Sequence, residues 1–313
     1  LKDPADRDFA RALVMEADVL VENNRPGVMQ RLGLGWDWFG PRKPSLVYCA
    51  ISAFGQAGPR SAEGGFDLTI QAATGVMSVT GEESGPPVKC GVPIGDFGAG
   101  LYGAFTSLAA VMKARETGEG AYIDCSMLGS LLGMAALQTS EFFGTGKAPK
   151  RLGSEHPRNA PYQGFNAKDR PFTVAAGNDK LWRDFCTVVG QPDLANDPRF
   201  TTQADRARNQ RELAAIVQPI FLTKNAEEWI AALDAEGIPC AIVLDYREIL
   251  SNEQIAHMGL VRDMTLSNGA TRKGVVFPIN VPGFTFDIDR APPQLGAHND
   301  EVFAEWTKGT RNS

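Results

Sequence analysis

The first 143 residues alternate between helical hydrophobic spacing and short continuous apolar runs. Apolar side chains recur at helical spacing over residues 4–17, and an apolar run at residues 18–21 predicts a buried strand. Further strand-like runs lie at residues 45–51 and 121–126, and helical patterns fill the intervals at residues 28–32, 65–81, 99–115 and 127–143. The pattern at 99–115 is so densely apolar that it predicts a buried helix. This alternation predicts an α/β fold with a parallel sheet.

The loops after two of these strands are candidate ligand sites. The strand at residues 18–21 runs into the polar segment 22–27, and the strand at residues 45–51 runs into the glycine-rich segment 52–59. In parallel α/β sheets, ligands bind beyond the carboxyl ends of the strands. A plain turn is the alternative for segment 22–27. The first helix and strand would be the second half of a βαβ unit whose first strand precedes Leu1.

The second half of the chain has a different pattern, which predicts a second and smaller domain. Residues 144–159 are polar and basic with glycine and proline, as in a linker or long loop. Helices are predicted at residues 182–189, 203–222, 226–236 and 299–306, and strands at residues 162–166, 172–176, 238–244, 261–266 and 273–278.

Composition and charge indicate which partners and which cellular location fit the chain. The 313 residues are 43% hydrophobic and 22% charged, as in ordinary soluble globular proteins. The net charge of −6 and the absence of a block of five like charges argue against nucleic acid as the main partner. With no signal peptide and no 18-residue apolar run, no membrane partner is predicted. Five widely spaced cysteines without a C-x-x-C motif favour reduced thiols in a cytoplasmic protein.

Asp96 is the candidate centre of chemistry. It follows Gly95, precedes Gly98, and lies where a long apolar helical pattern begins. A carboxylate near a helix N-terminus is held ionised by unpaired N–H groups and the helix dipole, and glycines leave room for a ligand to approach. The alternative is an N-cap followed by a packing helix rich in small residues.

Several common catalytic motifs are absent from the sequence. No G-x-G-x-x-G, Walker A, G-x-S-x-G or H-E-x-x-H occurs, and the D-F-G at residues 96–98 lacks the other kinase motifs. The three histidines, His156, His257 and His298, are too dispersed to predict a metal site or a catalytic triad, so no metal is predicted.

Five segments together resemble the family III CoA-transferases. They read ADVLVENNRPG at residues 17–27, LGLG at 32–35, ISAFGQAGP at 51–59, GFDLTIQA at 65–72, and GPP at 85–87 followed by GVPIGD at 91–96. The match runs in order over nearly the whole chain. The family includes formyl-CoA and carnitine-CoA transferases and the α-methylacyl-CoA racemases. Its opening segment is missing here, so we expect that the chain lacks its natural N-terminus.

The resemblance implies that Asp96 is a nucleophile. Its carboxylate would attack an acyl-CoA thioester and pass through an aspartyl anhydride and an aspartyl-CoA thioester, which transfers CoA to a carboxylic acid acceptor. Coenzyme A is then part of the substrate, and no permanently bound cofactor is expected. The glycines around Asp96 would give the thioester room and supply N–H donors for each oxyanion.

Two other functions stay open. Racemases of the family pair the matching aspartate with a histidine, and Phe66 stands in that position here, so a racemase would lack its second base. The other alternative is an inactive acyl-CoA-binding relative, which the missing opening segment suggests. The transferase interpretation is preferred.

The resemblance also implies which residues contact CoA. Asn23, Asn24, Arg25 and Arg31 match CoA-contacting positions, and the two arginines would pair with its phosphates. Asp67 matches an acidic position of the site and is also expected to contact CoA. The residues LGSEH at 152–156 and PYQ at 161–163 are similar to members acting on short dicarboxylic acids such as glutarate or succinate.

The family fold implies the domain organisation. A Rossmann-like large CoA-binding domain would cover residues 1–143, a linker 144–160, a small α+β domain 161–237, and a segment returning to the large domain 238–313. Two subunits of the family interlock like chain links, so an interlocked homodimer is expected.

Overall fold

The computed structural model describes residues 1–288 and 290–309, with the side chains of residues 306–309 left out. The chain forms two compact units, the first covering Leu1–Pro157 and the second beginning at Arg158. Among the helices of the described residues, none has the length and apolar character needed to cross a membrane.

The first unit is an α/β structure. Its strands are β1 (Val19–Glu22), β2 (Val47–Ser52) and β3 (Ala121–Ser126). Its helices are α1 (Pro4–Glu16), α2 (Val28–Arg31), α3 (Trp36–Phe39), α4 (Asp67–Ala73), α5 (Val76–Val79), α6 (Ile94–Thr117), α7 (Met127–Met134) and α8 (Ala136–Thr145). Asp3 caps the first of these, accepting a hydrogen bond from the Ala5 N–H, and Pro4 is suited to its first turn.

The three strands form a parallel sheet in the order β1-β2-β3. Val47 of the central strand is paired with Val19 on one side and with Ala121 on the other. The central strand is almost wholly buried, as expected for a strand covered on both faces. This confirms the predicted α/β fold with a parallel sheet. All three strands end at the same edge of the sheet, which is where the ligand loops were expected.

Two predicted helices of this unit are each interrupted. The pattern at residues 65–81 forms α4 and α5, which are separated at Gly75, where the backbone takes the left-handed conformation with φ of +83°. The pattern at residues 127–143 forms α7 and α8, separated at Ala135. Hydrophobic spacing continues through both breaks, so it could not reveal them.

Helix α6 differs from its prediction as a buried helix. On one side it packs through small residues against the sheet, and a Cβ at Gly103 would lie 3.3 Å from Cys49 Sγ. Its other side exposes an apolar stripe, formed by Phe97, Leu101, Phe105, Leu108 and Met112. The dense apolar composition of residues 99–115 predicted a buried helix, but the first unit covers only the small-residue side of α6 and leaves this stripe exposed.

The second unit contains antiparallel sheets. Its strands are β4 (Tyr162–Asn166), β5 (Pro171–Ala175), β6 (Cys240–Ile242), β7 (Val261–Thr265) and β8 (Thr271–Val275). Its helices are α9 (Asp179–Val188), α10 (Gln203–Arg208), α11 (Gln210–Phe221), α12 (Ala226–Ala235), α13 (Tyr246–Leu250), α14 (Glu253–Met258) and α15 (Asn299–Gly309), with a 3-10 helix at Pro192–Asn196. The predicted helix at residues 203–222 is interrupted at Asn209. Helices α13 and α14 and the 3-10 helix, each of five or six residues, were not predicted because they are too short to show a period.

The first sheet of this unit has the order β4-β5-β6, and the remaining two strands pair with each other. Phe221 lies at the centre of an aromatic core, with ring centroids 4.9 Å from Phe172 and 5.1 Å from Trp229. Strand β6 pairs with β5, so the beginning of the predicted C-terminal segment belongs to the small sheet. The predicted return of the following residues to the large domain stays a prediction.

Candidate active site

A cavity of about 570 Å³ opens at the carboxyl edge of the parallel sheet. The loops after β1 and β2 form one side, and the first turns of α6 and α7 contribute to the other. Its lining brings together four of the residues predicted for the site, Asn23, Asn24, Arg25 and Asp96. Residues 23–25 are more than 70 positions from Asp96 in the sequence, and the parallel order of the strands explains why they meet.

The two asparagines hold the loop after β1 in different ways. The Asn23 side chain donates to the backbone carbonyl of Ile51 at 3.0 Å, which ties this loop to the end of β2. The backbone N–H of Asn24 donates to the Glu22 carboxylate at 2.7 Å. Asn23 therefore fixes the loop, while the side chain of Asn24 is exposed at the cavity.

The two arginines fold back over glycines. A Cβ at Gly64 would lie 2.6 Å from Nη2 of Arg25, so the guanidinium rests where only glycine leaves space. A Cβ at Gly27 would lie 3.0 Å from Nη1 of Arg31. Arg25 lines the cavity, whereas Arg31 is exposed on α2 beside the same loop. Neither forms an ion pair with an acidic residue in the described part of the chain, which leaves both charges available to an anionic ligand.

Asp96 lies within the first turn of α6, and this corrects the interpretation of Asp96 as the helix cap. The N-cap is Pro93, which has no side-chain acceptor, and Asp96 is the third helical residue. Its carboxylate lines the cavity and accepts no hydrogen bond from the described residues. Desolvation by neighbouring atoms raises the pKa of Asp96 above its usual value, and the negative charge of Asp67 raises it further.

The side chain of Asp67, on α4, accepts a hydrogen bond from the first turn of α6, where Pro93 offers no side-chain acceptor. Its Oδ1 accepts the Gly95 N–H at 2.8 Å, and its Oδ2 accepts a hydrogen bond from Gln71 Nε2 at 2.6 Å. Gln71 is fully buried, and its Oε1 accepts the Cys90 N–H at 2.9 Å. Sequence reasoning missed Gln71. Its spacing of four residues from an acidic residue on a short helix was the available signal.

The glycines near Asp96 have roles other than those expected. A Cβ at Gly95 would lie 3.0 Å from Asp67 Oδ1, and a Cβ at Gly98 would lie 2.8 Å from Met134 Sδ. Both positions are therefore filled by protein atoms and leave no room for a thioester. The N–H of Gly95 is also engaged by Asp67. Gly100, which does line the cavity, is the glycine with open space beside it.

The cavity offers few other groups for proton transfer. Phe66, which the resemblance matches to the histidine of the racemases, is 83% exposed and lines the cavity. The described lining residues include no histidine, and Glu63 is paired with Arg60 at 2.7 Å, which lowers the pKa of Glu63. No group of three His, Cys, Asp or Glu side chains in the described residues could hold a metal ion.

The first two residues of the predicted linker belong to the end of α8, and the loop that follows packs on the first unit. Arg151 donates to the backbone carbonyl of Gly85 at 3.0 Å, and the Gly153 N–H donates to the carbonyl of Gly81 at 3.0 Å. The segment at residues 152–156, which carries the resemblance to enzymes of dicarboxylic acids, therefore starts from an anchored position.

Comparison with known proteins agrees with this geometry. The sequence pattern of the family described as CoA-transferase family III matches residues 1–299. Acetyl-CoA:oxalate CoA-transferase of Acetobacter aceti is 38% identical over 282 residues, covering 90% of this chain and 70% of that protein. Succinyl-CoA:glutarate CoA-transferase of Mus musculus is 31% identical over 312 residues, covering 97% of this chain and 70% of the relative.

A solved structure gives the same result for the fold. The crystal structure of a CAIB/BAIF family protein from Brucella suis superposes with a TM-score of 0.84 at 31% identity, covering 97% of this chain and 79% of that one. The matched sequence pattern spans both units, so the agreement is not limited to the sheet. The chain belongs to CoA-transferase family III.

Proposed function

We propose that this CoA-transferase moves CoA from an acyl-CoA thioester to a short dicarboxylic acid, with Asp96 as the nucleophile. One observation carries the proposal: the Asp96 carboxylate has no hydrogen-bond partner among the described residues and shares a cavity with the Arg25 guanidinium. A carboxylate that no protein donor occupies is free to attack a thioester carbonyl. The acceptor class is supported by relatives whose names specify oxalate and glutarate.

In the first half of the reaction, CoA passes from the donor acid to Asp96. An oxygen of Asp96 attacks the thioester carbonyl, the carbon–sulfur bond breaks, and CoA leaves as a thiolate. The thiolate then attacks the aspartyl carbonyl of the anhydride. This releases the donor acid as a carboxylate and leaves CoA on Asp96 as a thioester.

The second half repeats these steps with the acceptor. The acceptor carboxylate attacks the aspartyl-CoA carbonyl and releases the thiolate. The thiolate attacks the acceptor acyl carbon of the new anhydride, which forms the product thioester and regenerates the Asp96 carboxylate. Each tetrahedral oxyanion needs N–H donors, and because the Gly95 N–H is engaged, other N–H groups at the cavity must supply them.

CoA would be held by the loop after β1. We assign its phosphates to Arg25 and Arg31, whose guanidinium groups can pair with phosphate oxygens in a bidentate manner. Asn23 and Asn24 are assigned to the same ligand, with Asn24 the better placed because its side chain is exposed at the cavity. Asp67 was also predicted to contact CoA, but its bonds to Gly95 and Gln71 favour a supporting role.

The assembly and location are also part of the proposal. We assign the family organisation to this chain, with a Rossmann-like large domain, a small α+β domain, a C-terminal return to the large domain and an interlocked homodimer. The apolar stripe of α6 supports a second copy as the partner, because exposed aliphatic and aromatic side chains in a row favour burial against protein. The five free cysteines fit a cytoplasmic location.

The racemase alternative makes a different prediction. A racemase needs a second base, and the Phe66 ring stands where family racemases have histidine. We expect no exchange of the substrate α-proton when acyl-CoA is incubated with the protein in deuterated water, followed by mass spectrometry. Incorporation of deuterium would favour the racemase.

Trapping tests the nucleophile directly. The full-length protein is incubated with an acyl-CoA and hydroxylamine, and the modified peptide is identified by mass spectrometry. We expect an aspartyl hydroxamate at Asp96 in the wild type and none in Asp96→Ala, which should fold but not transfer CoA. Asp18→Asn, a change at an exposed acid away from the cavity, is the control. An unmodified Asp96 would instead support an inactive acyl-CoA-binding relative.

A further inference from the structure

A buried amide connects the turn that holds Asp96 with the loop that leads to it. The Gln71 side chain is fully buried, and both of its polar atoms are engaged. Its Nε2 donates to Asp67, which in turn accepts the N–H of Gly95, the residue before Asp96. Its Oε1 accepts the N–H of Cys90, six positions before Asp96. One side chain therefore restrains both ends of segment 90–95.

We propose that Gln71 is a positioning residue for the nucleophile, acting through Asp67 and the Cys90 amide. The inference rests on the proposed function, in which Asp96 attacks the thioester. Pro93, the N-cap of α6, offers no side-chain acceptor, so the Asp67 carboxylate holds the first turn in place of a local cap. The Asp96 carboxylate is thereby spared from capping its own helix and can face the cavity.

The direction of each hydrogen bond in this chain is fixed. At one end the Gly95 N–H can only donate, and at the other the Cys90 N–H can only donate. An ionised Asp67 can only accept, so Gln71 must present its NH₂ group to Asp67 and its oxygen to Cys90. The reverse orientation of the Gln71 amide would satisfy neither neighbour.

Because these directions are fixed, Asp67→Asn and Gln71→Glu should each disrupt the hydrogen bonds when made alone. Made together, the two substitutions should restore them. Asp67→Asn introduces an NH₂ group, and every arrangement of the Asn and Gln71 amides then leaves two donors facing each other. Gln71→Glu places a carboxylate against the Asp67 carboxylate. In the double variant the Asn can accept from Gly95 and donate to the Glu, which can still accept from Cys90.

The experiment measures CoA transfer by the wild type, both single variants and the double variant. We expect each single variant to lower kcat by roughly 10- to 100-fold, because a small misplacement of a reacting group costs that much. The KM for acyl-CoA should change little, since neither residue lines the cavity. The double variant should recover most of kcat. Single variants with wild-type kcat, or a double variant no better than the worse single variant, would overturn the proposal.

Amide hydrogen exchange provides a readout that does not depend on activity or on folding of the variants. In the wild type, the Gly95 and Cys90 amides should exchange more slowly than the amide of Gly91, which donates to no acceptor among the described residues. Equal exchange at the three amides would also overturn the proposal. If Asp96→Asn still transferred CoA, the proposed function would fail while the exchange result stood, so the two failures are distinguishable.

Discussion

The carboxylate of Asp67 accepts the backbone N–H of Gly95 at 2.8 Å, so an acidic side chain of α4 caps the helix that carries Asp96. The same carboxylate places a second negative charge near Asp96, and this charge is one of the two causes that raise the pKa of Asp96. Position and basicity of the proposed nucleophile therefore depend on one neighbour. A helix cap supplied by Asp96 itself would have occupied the carboxylate that the chemistry needs.

The pH dependence of transfer should report this raised pKa. Asp96 must be ionised to attack, so kcat/KM should fall as the pH falls through its pKa, at a pH above the ordinary aspartate value of about 3.9. Asp67→Asn removes the charge contribution and should move the fall to lower pH. Added salt should move it the same way in the wild type and less in the variant. A fall at the ordinary aspartate pKa in the wild type would contradict the assignment.

The free energy of unfolding should also depend on pH through the raised pKa, because Asp96 is harder to ionise in the folded chain than in the unfolded one. As the pH rises from the ordinary aspartate pKa to the raised one, Asp96 ionises in the unfolded chain before it does so in the folded chain. The free energy of unfolding of the wild type therefore falls over this range. Asp96→Asn cannot ionise, so its free energy of unfolding should rise relative to the wild type over that range. Urea unfolding at several pH values measures the difference, with Asp18→Asn as the control. No change in the difference with pH would count against the raised pKa.

The sequence predicted those parts of the site that depend on strand order. Hydrophobic runs located the strands, and strand β3 matches its predicted bounds. The rule that ligands bind at the carboxyl ends of parallel strands then selected the loop carrying Arg25, which the structure places in one cavity with Asp96. The family resemblance supplied the role of Asp96 as a nucleophile, which periodicity could not indicate.

The supporting contacts were not predictable because they join distant positions through single side-chain atoms. Nothing local shows that Gln71 meets the Cys90 N–H, or that Asp67 caps a helix starting 27 residues later. The exposed stripe on α6 escaped prediction for a related reason. Burial depends on which partner covers a face, and an apolar pattern does not identify the partner.

In the second unit, Arg206 should be important for stability. Its guanidinium is fully buried and donates to the carbonyls of Ala160 and Gly177 and to Asp179. Arg206→Met leaves the buried Ala160 carbonyl and the half-buried Gly177 carbonyl without this donor, while the exposed Asp179 can be solvated by water, so the free energy of unfolding should fall by roughly 1–3 kcal/mol. Arg208→Met, at an exposed arginine paired with an acid, should cost below about 1 kcal/mol. Urea unfolding compares the two, and equal losses would contradict a structural role for the buried guanidinium.

Loss of Arg25 should weaken CoA binding more than it slows the chemistry. A charge-assisted contact with phosphate contributes roughly 1.5–3 kcal/mol, so Arg25→Ala should raise the KM for acyl-CoA about 10- to 100-fold with a smaller change in kcat. Steady-state kinetics at two salt concentrations measure both constants. Arg42→Ala, whose arginine stacks on Trp38 outside the cavity, is the matched control. A fall in kcat alone would place Arg25 elsewhere in the reaction.

Gly64→Ala should imitate the loss of Arg25 without unfolding the protein. The new Cβ would lie 2.6 Å from Arg25 Nη2 and 2.7 Å from its Nε, so the guanidinium must move. Both residues are exposed and the arginine is flexible, so the free energy of unfolding should change little. The KM for acyl-CoA should rise, and Gly64→Ala should add nothing to Arg25→Ala, because its effect passes through that side chain. Gly144→Ala, where a Cβ meets no atom within 4 Å, is the control. Additive effects of the two substitutions would show that Gly64 contacts the ligand independently of Arg25.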